Sequence, residues 1–154
     1  MLASMPSRGI KEKESDNESE SEIISLLFLI FTLTLFLSRN MFDFQKLEVY
    51  KKSKVFHVSC KTLILKYKFD RYVNDQLGRA SFSVPLNIAE GSGKFSSKDR
   101  KNYFTTARAS VFECVAVLDI LSDENSISEE ELEMLMKNAD ELSRILYVMI
   151  KNLG

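Results

Sequence analysis

Residues 127–154 read ISEEELEMLMKNADELSRILYVMIKNLG, and this stretch decides the fold class. Ser128 and Glu131 have the spacing of a capping box, and Ile127 and Leu132 have that of a hydrophobic staple. Apolar residues then recur at alternating steps of three and four, which gives one apolar stripe on a helix: Leu132, Leu135, Ala139, Leu142, Leu146, Met149 and Leu153. The stretch predicts a long amphipathic helix that packs against other helices.

Three earlier segments have the same spacing. The first helix is predicted to begin at Asp43, because its carboxylate can accept hydrogen bonds from the free amides of the first turn. Phe42 and Leu47 have the spacing of a hydrophobic staple. The stripe of this helix contains six residues at steps of four and three: Val49, Ser53, Phe56, Cys60, Leu63 and Tyr67.

The second helix is predicted from about Asp70 to Glu90. Pro85 lies inside it, and a kink is expected there because proline lacks a backbone donor and crowds the preceding turn. Gly91 and Gly93 are predicted to end the helix, as residues that tolerate the left-handed conformation. Its stripe contains Leu77, Ala80, Ser81, Val84 and Ile88.

The third helix is predicted to begin near Ser96 or Ser97, with a stripe at Phe104, Ala107, Val111, Cys114, Leu118 and Leu121.

The chain of 154 residues has 5 Gly and 2 Pro, too few turn formers for a β-sandwich, barrel or propeller. Four amphipathic helices joined by short loops pack most simply with alternating directions. The predicted fold class is therefore all-α, an antiparallel up-down-up-down four-helix bundle over residues 41–154.

Residues 1–40 are predicted to be a separate extension. Acidic residues and little apolar content predict disorder over residues 1–22. The uncharged run IISLLFLIFTLTLFLS at residues 23–38 would span about 24 Å as a helix, less than the roughly 30 Å of a bilayer core. Three interpretations stay open: a mis-set start codon with translation from Met41, a membrane anchor followed by Arg39, or a cleaved signal peptide, against which the acidic flank argues.

Patterns for catalysis are absent from the sequence, so an enzyme, a metal or a cofactor is not expected. His57 is the only histidine, and no Glu-x-x-His pair is present to bind two metal ions. Cys60 and Cys114 lie on the stripes of different helices, and buried free thiols in a reducing cytoplasm are the expected state. The run GSGK at residues 91–94 lacks the spacing of a phosphate-binding loop. The expected localisation is cytoplasmic.

Charge is distributed unevenly along the chain. Residues 41–108 contain 14 Lys and Arg against 6 Asp and Glu, a net charge of +8, whereas residues 109–154 contain 3 against 10, a net charge of −7. This polarity suits contact with a polyanion, or head-to-tail packing of basic and acidic faces between subunits.

Basic residues are expected on the outward face of the first helix and at the start of the third. Aromatic residues are not interleaved with them in a stacking pattern, so a salt-sensitive phosphate contact is predicted instead of single-strand readout. The candidate nucleic-acid contacts are Lys51, Lys54, Lys61, Lys68, Arg79, Lys94, Lys98, Arg100 and Lys101.

Two stretches, MFDFQKLEVY at residues 41–50 and SVPLNIAEGSG at residues 83–93, resemble a known family. They are similar to bacterial four-helix bundle proteins encoded by intervening sequences of 23S ribosomal RNA genes, also called S23 ribosomal proteins. The resemblance covers residues 41–154 and implies an antiparallel four-helix bundle that commonly assembles as a pentameric ring. It also implies RNA as a partner, because related accessory proteins of retroelements form basic rings that bind RNA.

The resemblance also marks a polar layer. Asn87 and Glu90 in the second helix, and Ser110 and Glu113 in the third, match the family's signature positions. Hydrogen bonds among them are expected to fix the register of the two helices. Gly78 departs from the family, because relatives usually have an additional arginine there, which removes one candidate phosphate contact.

Two functions from different classes follow. One is a non-enzymatic, oligomeric protein that associates with ribosomal RNA, other structured RNA or DNA through phosphate contacts of a basic face. The other is a homo-oligomeric interaction or scaffold module with no nucleic-acid role. Both predict the chain itself as a partner, and a membrane is a partner only if residues 23–38 are a genuine anchor.

Overall fold

The computed structural model describes residues 23–32 and 42–154, and the chain divides into two units, residues 1–41 and 42–154, that are treated separately. In the first unit, residues 23–32 are helical with exposed side chains. Within the described residues, no helix has both the length and the apolar content needed to cross a membrane. The disorder predicted for residues 1–22 and the rest of the predicted apolar run lie outside the described residues.

The second unit contains four long α-helices and one short 3-10 helix, and residues 42–154 contain no strand. The prediction of an all-helical fold is confirmed, with five helices instead of four. The 3-10 helix is Asp43–Lys46, and the long helices are α1 (Glu48–Tyr67), α2 (Arg71–Ser92), α3 (Ser97–Asp123) and α4 (Glu129–Lys151).

The predicted start of the first helix at Asp43 is wrong. Asp43 lies in the 3-10 helix, and Leu47 has extended backbone, with φ −65° and ψ 128°, between that helix and α1. The Asp43 carboxylate caps no amide and instead pairs with the Lys46 ammonium at 2.9 Å. The Phe42 ring stacks on Phe44 with 5.8 Å between ring centroids. The chain therefore makes one tight turn before α1 begins.

The predicted starts of α3 and α4 are confirmed. Ser96 Oγ accepts a hydrogen bond from the Asp99 amide at 3.0 Å, and Ser128 Oγ accepts one from the Glu131 amide at 3.4 Å. The Ser128 amide, however, donates to the Tyr67 hydroxyl of α1 at 3.3 Å. In a complete capping box the Glu131 carboxylate would accept the hydrogen bond of the Ser128 amide. Here the Tyr67 hydroxyl of α1 accepts it instead.

The prediction that Gly91 and Gly93 end α2 in the left-handed conformation is wrong. Gly91 is buried inside the helix, and Gly93, the residue after it, has φ −84°. Gly91 is required by a close approach of α3, because a Cβ atom there would lie 2.7 Å from Cε1 of Phe104. Left-handed backbone occurs instead at Lys68 (φ 51°), which ends α1, and at Asn125 (φ 54°), which follows α3.

The long helices pack in cyclic order, each against its two neighbours, and the diagonal pairs have no close backbone approach. Neighbours run in opposite directions. Tyr67 at the end of α1 contacts Glu131 near the start of α4, and Gly91 at the end of α2 contacts Phe104 near the start of α3. Short connections between neighbouring helices produce this up-down-up-down order.

The predicted stripes form the core. Phe56, Leu77, Phe104 and Leu135 are among its fully buried side chains, and the outer members of the α4 stripe are partly buried against it. Four serines are also buried, and each has a hydrogen-bond partner, so their hydroxyl groups are not left unsatisfied. They are Ser53, Ser81, Ser110 and Ser143.

Candidate nucleic-acid interface

Side-chain contacts between neighbouring helices define a middle cross-section of the bundle. His57 Nδ1 of α1 lies 3.0 Å from Ser81 Oγ of α2. Arg108 Nε of α3 donates to Ser143 Oγ of α4 at 3.2 Å. Because neighbouring helices are antiparallel, one half of the bundle contains the start of α1, the end of α2, the start of α3 and the end of α4.

The two halves differ in charge. The basic end, defined as residues 42–57, 82–110 and 140–154, contains 11 Lys and Arg against 6 Asp and Glu, a net charge of +5. The acidic end, defined as residues 58–81 and 111–139, contains 6 against 10, a net charge of −4. Folding therefore converts an asymmetry along the sequence into an asymmetry along the axis of the bundle.

The predicted contact residues separate into two groups. Three of them, Lys61, Lys68 and Arg79, lie at the acidic end. The α1 lysines and the bases at the start of α3 do not share one face, because α1 and α3 are diagonal in the bundle. Six of the nine lie at the basic end: Lys51, Lys54, Lys94, Lys98, Arg100 and Lys101.

Bases at the start of α3 oppose the helix dipole. Lys98, Arg100 and Lys101 follow the Ser96 cap directly, where the free amides already carry partial positive charge. Cations at this position destabilise a helix, so helix stability does not account for them. Asp99 offsets part of the repulsion, and its carboxylate accepts a hydrogen bond from Ser96 Oγ at 2.7 Å.

The cations around the start of α3 have no acidic partner. Lys94 Nζ lies 4.9 Å from the centroid of the Tyr103 ring, and Lys101 Nζ donates to the carbonyl oxygen of Gly154 at 2.9 Å. Arg100 Nε is buried without a hydrogen-bond partner. Within residues 42–154, no ion pair includes any base from residue 94 to residue 101. No acidic side chain therefore neutralises these cations.

The α1 lysines are partly neutralised by the acidic α4 helix. Lys52 pairs with Glu141 at 2.9 Å, and Lys66 pairs with Glu131 at 2.9 Å. The pKa of Glu131 is lowered to about 2. The hydrogen bond from the Tyr67 hydroxyl is the largest cause, and the hydrogen bond from Lys66 is the second. On this side of the molecule the charges therefore hold two helices together.

The predicted polar layer exists in part. Ser110 Oγ of α3 donates to Ser83 Oγ of α2 at 3.0 Å, and Asn87 Nδ2 donates to the same oxygen at 2.9 Å. Ser83 thus joins Asn87 and Ser110. Ser83 was not among the predicted members of the layer, although it lies four residues before Asn87 and on the same face of the helix.

The two glutamates of the predicted layer lie outside this cluster. Glu113 is exposed and accepts a hydrogen bond from the side-chain amide of Gln76. Glu90 is exposed, and its carboxylate has no hydrogen-bond or ion-pair partner among the described residues.

His57 and the cysteines have structural surroundings. Burial, and then the nearby Lys61 charge, lower the pKa of His57, which favours the neutral form of the ring beside Ser81. Cys60 and Cys114 are free, buried thiols, and their mutual hydrogen bond raises the pKa of Cys114. The described part of the chain contains no group of three or more His, Cys, Asp or Glu residues that could hold a metal ion.

Phe95 is a feature of the basic end that the sequence analysis missed. It lies between Lys94 and Lys98 in the run KFSSK, and its side chain is fully exposed. The expectation that aromatic residues are not interleaved with the bases is therefore wrong at this turn. The sequence KFSSK shows that an aromatic residue lies between two lysines. It does not show that the ring is exposed, because this depends on the turn between α2 and α3.

The fold and the charged end define a small antiparallel helical-bundle protein. The model of the 23S rRNA-intervening sequence protein family matches residues 45–148, more than half of the chain, and the chain belongs to this family. The resemblance stated from residues 41–50 and 83–93 is confirmed.

A crystal structure of a protein of unknown function from the S23 ribosomal protein family of Bacteroides thetaiotaomicron VPI-5482 has the same fold. Its TM-score is 0.63 at 24% sequence identity, and the match covers 67% of this chain and 98% of that chain. The comparison with curated proteins gave no match.

Proposed function

We propose that this protein is a non-enzymatic helical bundle that associates with structured RNA through phosphate contacts at its basic end. The observation that carries the proposal is the axial separation of charge, +5 on one half of the bundle and −4 on the other. The family name refers to an intervening sequence of ribosomal RNA, which favours RNA over other polyanions.

The bases around the start of α3 support this part of the basic end as the contact surface. Bases of α1 such as Lys52 and Lys66 pair with α4 acids, whereas Lys94 and Lys98 have no acidic partner within residues 42–154. Binding to phosphates releases condensed counterions, so unpaired lysines contribute affinity that falls as salt is added. The negative charge of the other end repels the same polyanion, which favours an end-on approach.

Salt-dependent RNA binding tests this proposal on the full chain. The Lys94→Gln/Lys98→Gln variant removes two charges at the basic end, and Lys61→Gln/Arg79→Gln removes two at the acidic end as a matched control. On duplex RNA, the first variant is expected to reduce the slope of log K against log salt by about 1.8, because each contact contributes about 0.9. The control is expected to leave the slope unchanged. Equal effects of the two variants, or absence of binding at low salt, would contradict the proposal.

A second candidate function is a self-assembling interaction module. Large apolar side chains are exposed on two helix faces: Val55, Val58 and Leu65 of α1 and Phe82 and Leu86 of α2. Contiguous apolar surface on a small protein is typical of a contact with another chain. A ring needs two different patches on each subunit, and the candidate assigns them to these two faces.

Native mass over a range of concentrations tests this candidate. A constant multiple of the chain mass, five for the pentamer that the family resemblance implies, is expected. A monomer at every concentration would exclude assembly. Assembly combined with a complete absence of RNA binding would favour the scaffold role without a nucleic-acid partner. Assembly that leaves the basic end free is compatible with the first proposal.

A further inference from the structure

Phe95 extends from the turn between α2 and α3. Its relative exposure is 106%, the largest of any large apolar residue among those described, so no neighbouring side chain covers the ring. The turn has only four residues, 93–96, and lies at the tip of the basic end. The whole ring is therefore accessible to a partner, and covering it would remove apolar surface from water.

Hydrogen bonds hold the backbone of this turn on both sides of Phe95. The Gly93 amide donates to the carbonyl oxygen of Glu90 at 3.1 Å, and the Lys94 amide donates to that of Gly91 at 3.2 Å. On the other side, Ser96 Oγ accepts from the first turn of α3. The backbone at Phe95 is therefore held by the fold, which lowers the backbone entropy lost when a partner binds.

Two cations flank the ring. Lys94 precedes it, with Nζ 4.9 Å from the Tyr103 centroid, and Lys98 follows it in the first turn of α3. The nearest acid in sequence, Asp99, is engaged by the Ser96 hydroxyl. An exposed aromatic ring with a lysine on either side in the sequence has the chemistry that a nucleotide requires, because a base can stack on the ring and the adjoining phosphates can contact the cations.

We propose that Phe95 stacks on an unpaired RNA base while Lys94 and Lys98 contact the adjoining phosphates. This inference rests on the proposed RNA association and adds a preference that phosphate contacts alone cannot give. A paired base is enclosed in its helix, whereas a base in a loop, bulge or single strand presents its face to the ring. The protein therefore distinguishes unpaired from paired segments at the tip of its basic end.

Phe95→Ala tests the preference. Binding of the full chain is measured to a hairpin with an unpaired loop and to a perfect duplex with the same number of phosphates. The variant is expected to weaken hairpin binding about tenfold and to leave duplex binding unchanged, since stacking of one base accounts for an effect of this order. Phe95→Tyr retains a ring and is expected to bind like the parent. Tyr72→Ala removes an aromatic side chain that is 70% exposed at the acidic end, and no effect is expected.

Phe95→Trp gives a direct readout, because the chain contains no tryptophan. Fluorescence of this single indole is expected to be quenched by the hairpin and not by the duplex. Unchanged fluorescence with the hairpin would overturn the inference. So would a blue shift on phosphatidylserine vesicles without quenching by RNA, which would assign Phe95 to a lipid surface, or a Phe95→Ala variant with altered native mass and unaltered RNA affinity, which would assign it to assembly.

The inference and the proposed function fail in different ways. Salt-sensitive binding that does not distinguish hairpin from duplex, and that Phe95→Ala leaves intact, would overturn the inference and keep the proposed function. Absence of RNA binding by the parent protein at low salt would overturn both.

Discussion

The two ends of the bundle use the same kinds of charged residues for different purposes. At the acidic end, Lys66, Tyr67 and Ser128 all contact the Glu131 carboxylate, so the charges connect α1 to α4. At the basic end, the cations near the start of α3 have no acidic side chain as a partner, and α2 and α3 are joined there by apolar contact such as that of Gly91 with Phe104. Charges that are satisfied within the fold stabilise it, whereas unsatisfied surface charges are available for binding.

The largest expected effect tests whether apolar packing holds the basic end together. Phe104 is 1% exposed and lies against Gly91. Phe104→Ala is expected to lower the free energy of unfolding by about 3–5 kcal/mol, because it removes a buried ring and leaves a cavity. Phe112→Ala, in the same helix, removes a ring that is 48% exposed and is expected to have a much smaller effect. Urea denaturation measures both, and similar losses would refute the comparison.

Adding one methyl group tests the same contact from the opposite helix. Gly91→Ala places a Cβ 2.7 Å from the Phe104 ring, so the helices must separate or the ring must move. A loss of about 1–3 kcal/mol in the free energy of unfolding is expected from overpacking. Gly93→Ala is the control, because its Cβ would have no neighbour closer than 3.6 Å and its φ of −84° suits alanine. Thermal unfolding should show a lower melting temperature for Gly91→Ala than for Gly93→Ala. A Gly91→Ala protein as stable as the parent would show that α2 and α3 do not approach each other so closely at this residue.

The polar contact at the acidic end predicts a pH dependence. Glu131 has a folded pKa of about 2 against an ordinary value of 4.5, so it contributes stability above the ordinary pKa that is lost as the pH falls towards 2. Tyr67→Phe removes the first cause of this shift and is expected to lower the free energy of unfolding by about 1–2 kcal/mol at pH 7. The difference from the parent protein should shrink between pH 5 and pH 2.

Chemical denaturation at pH 7, 4 and 2.5 measures this narrowing. Tyr50→Phe is the control, because Tyr50 lies near the other end of α1 and contacts Phe44 through its ring. Its effect is expected to be independent of pH. A Tyr67→Phe deficit of the same size at pH 7 and pH 2.5 would rule out the assigned role of Glu131.

The smallest expected effect has opposite signs at two helix termini. Lys98→Gln removes a cation from the start of α3 and should raise the free energy of unfolding by about 0.3–1 kcal/mol, because the helix dipole disfavours positive charge there. Lys151→Gln removes a cation from the last turn of α4, where the dipole favours it, and should lower the free energy of unfolding by a similar amount. Melting curves at low salt measure both changes. Destabilisation by Lys98→Gln would indicate that this lysine serves the fold.

Helix stripes were predictable from the sequence because burial of one face imposes a period on it. The buried residues of α1, from Val49 to Leu63, are all members of the predicted stripe. Helix ends were harder to predict, because they depend on neighbouring elements. The 3-10 helix packs against α1 and α2, and the amide of Ser128 finds its partner on α1. A short-range rule such as a cap at Asp43 does not include those contacts.

Glycines illustrate the same limit. A glycine that permits left-handed backbone and one that permits close approach of another helix are identical in sequence, and Gly91 belongs to the second kind.

At the candidate site, the bases themselves were predictable from composition. Their grouping was not, because only the cyclic order of the helices shows that α1 and α3 are diagonal. Ser83 and Phe95 were omitted because neither hydroxyl groups nor single aromatic residues stand out in a sequence.

The short turn between α2 and α3 also bears on the order of folding. These two helices share the most extensive contact in the bundle and are separated by only four residues. Closing so short a loop loses little chain entropy, and pairings between neighbours in sequence are the ones that speed folding. The connection between α1 and α2, residues 68–70, is shorter still, so the larger contact is what distinguishes the α2–α3 hairpin, and this hairpin is expected to form first. A nascent chain would form the tip that bears Phe95 before α4 has left the ribosome.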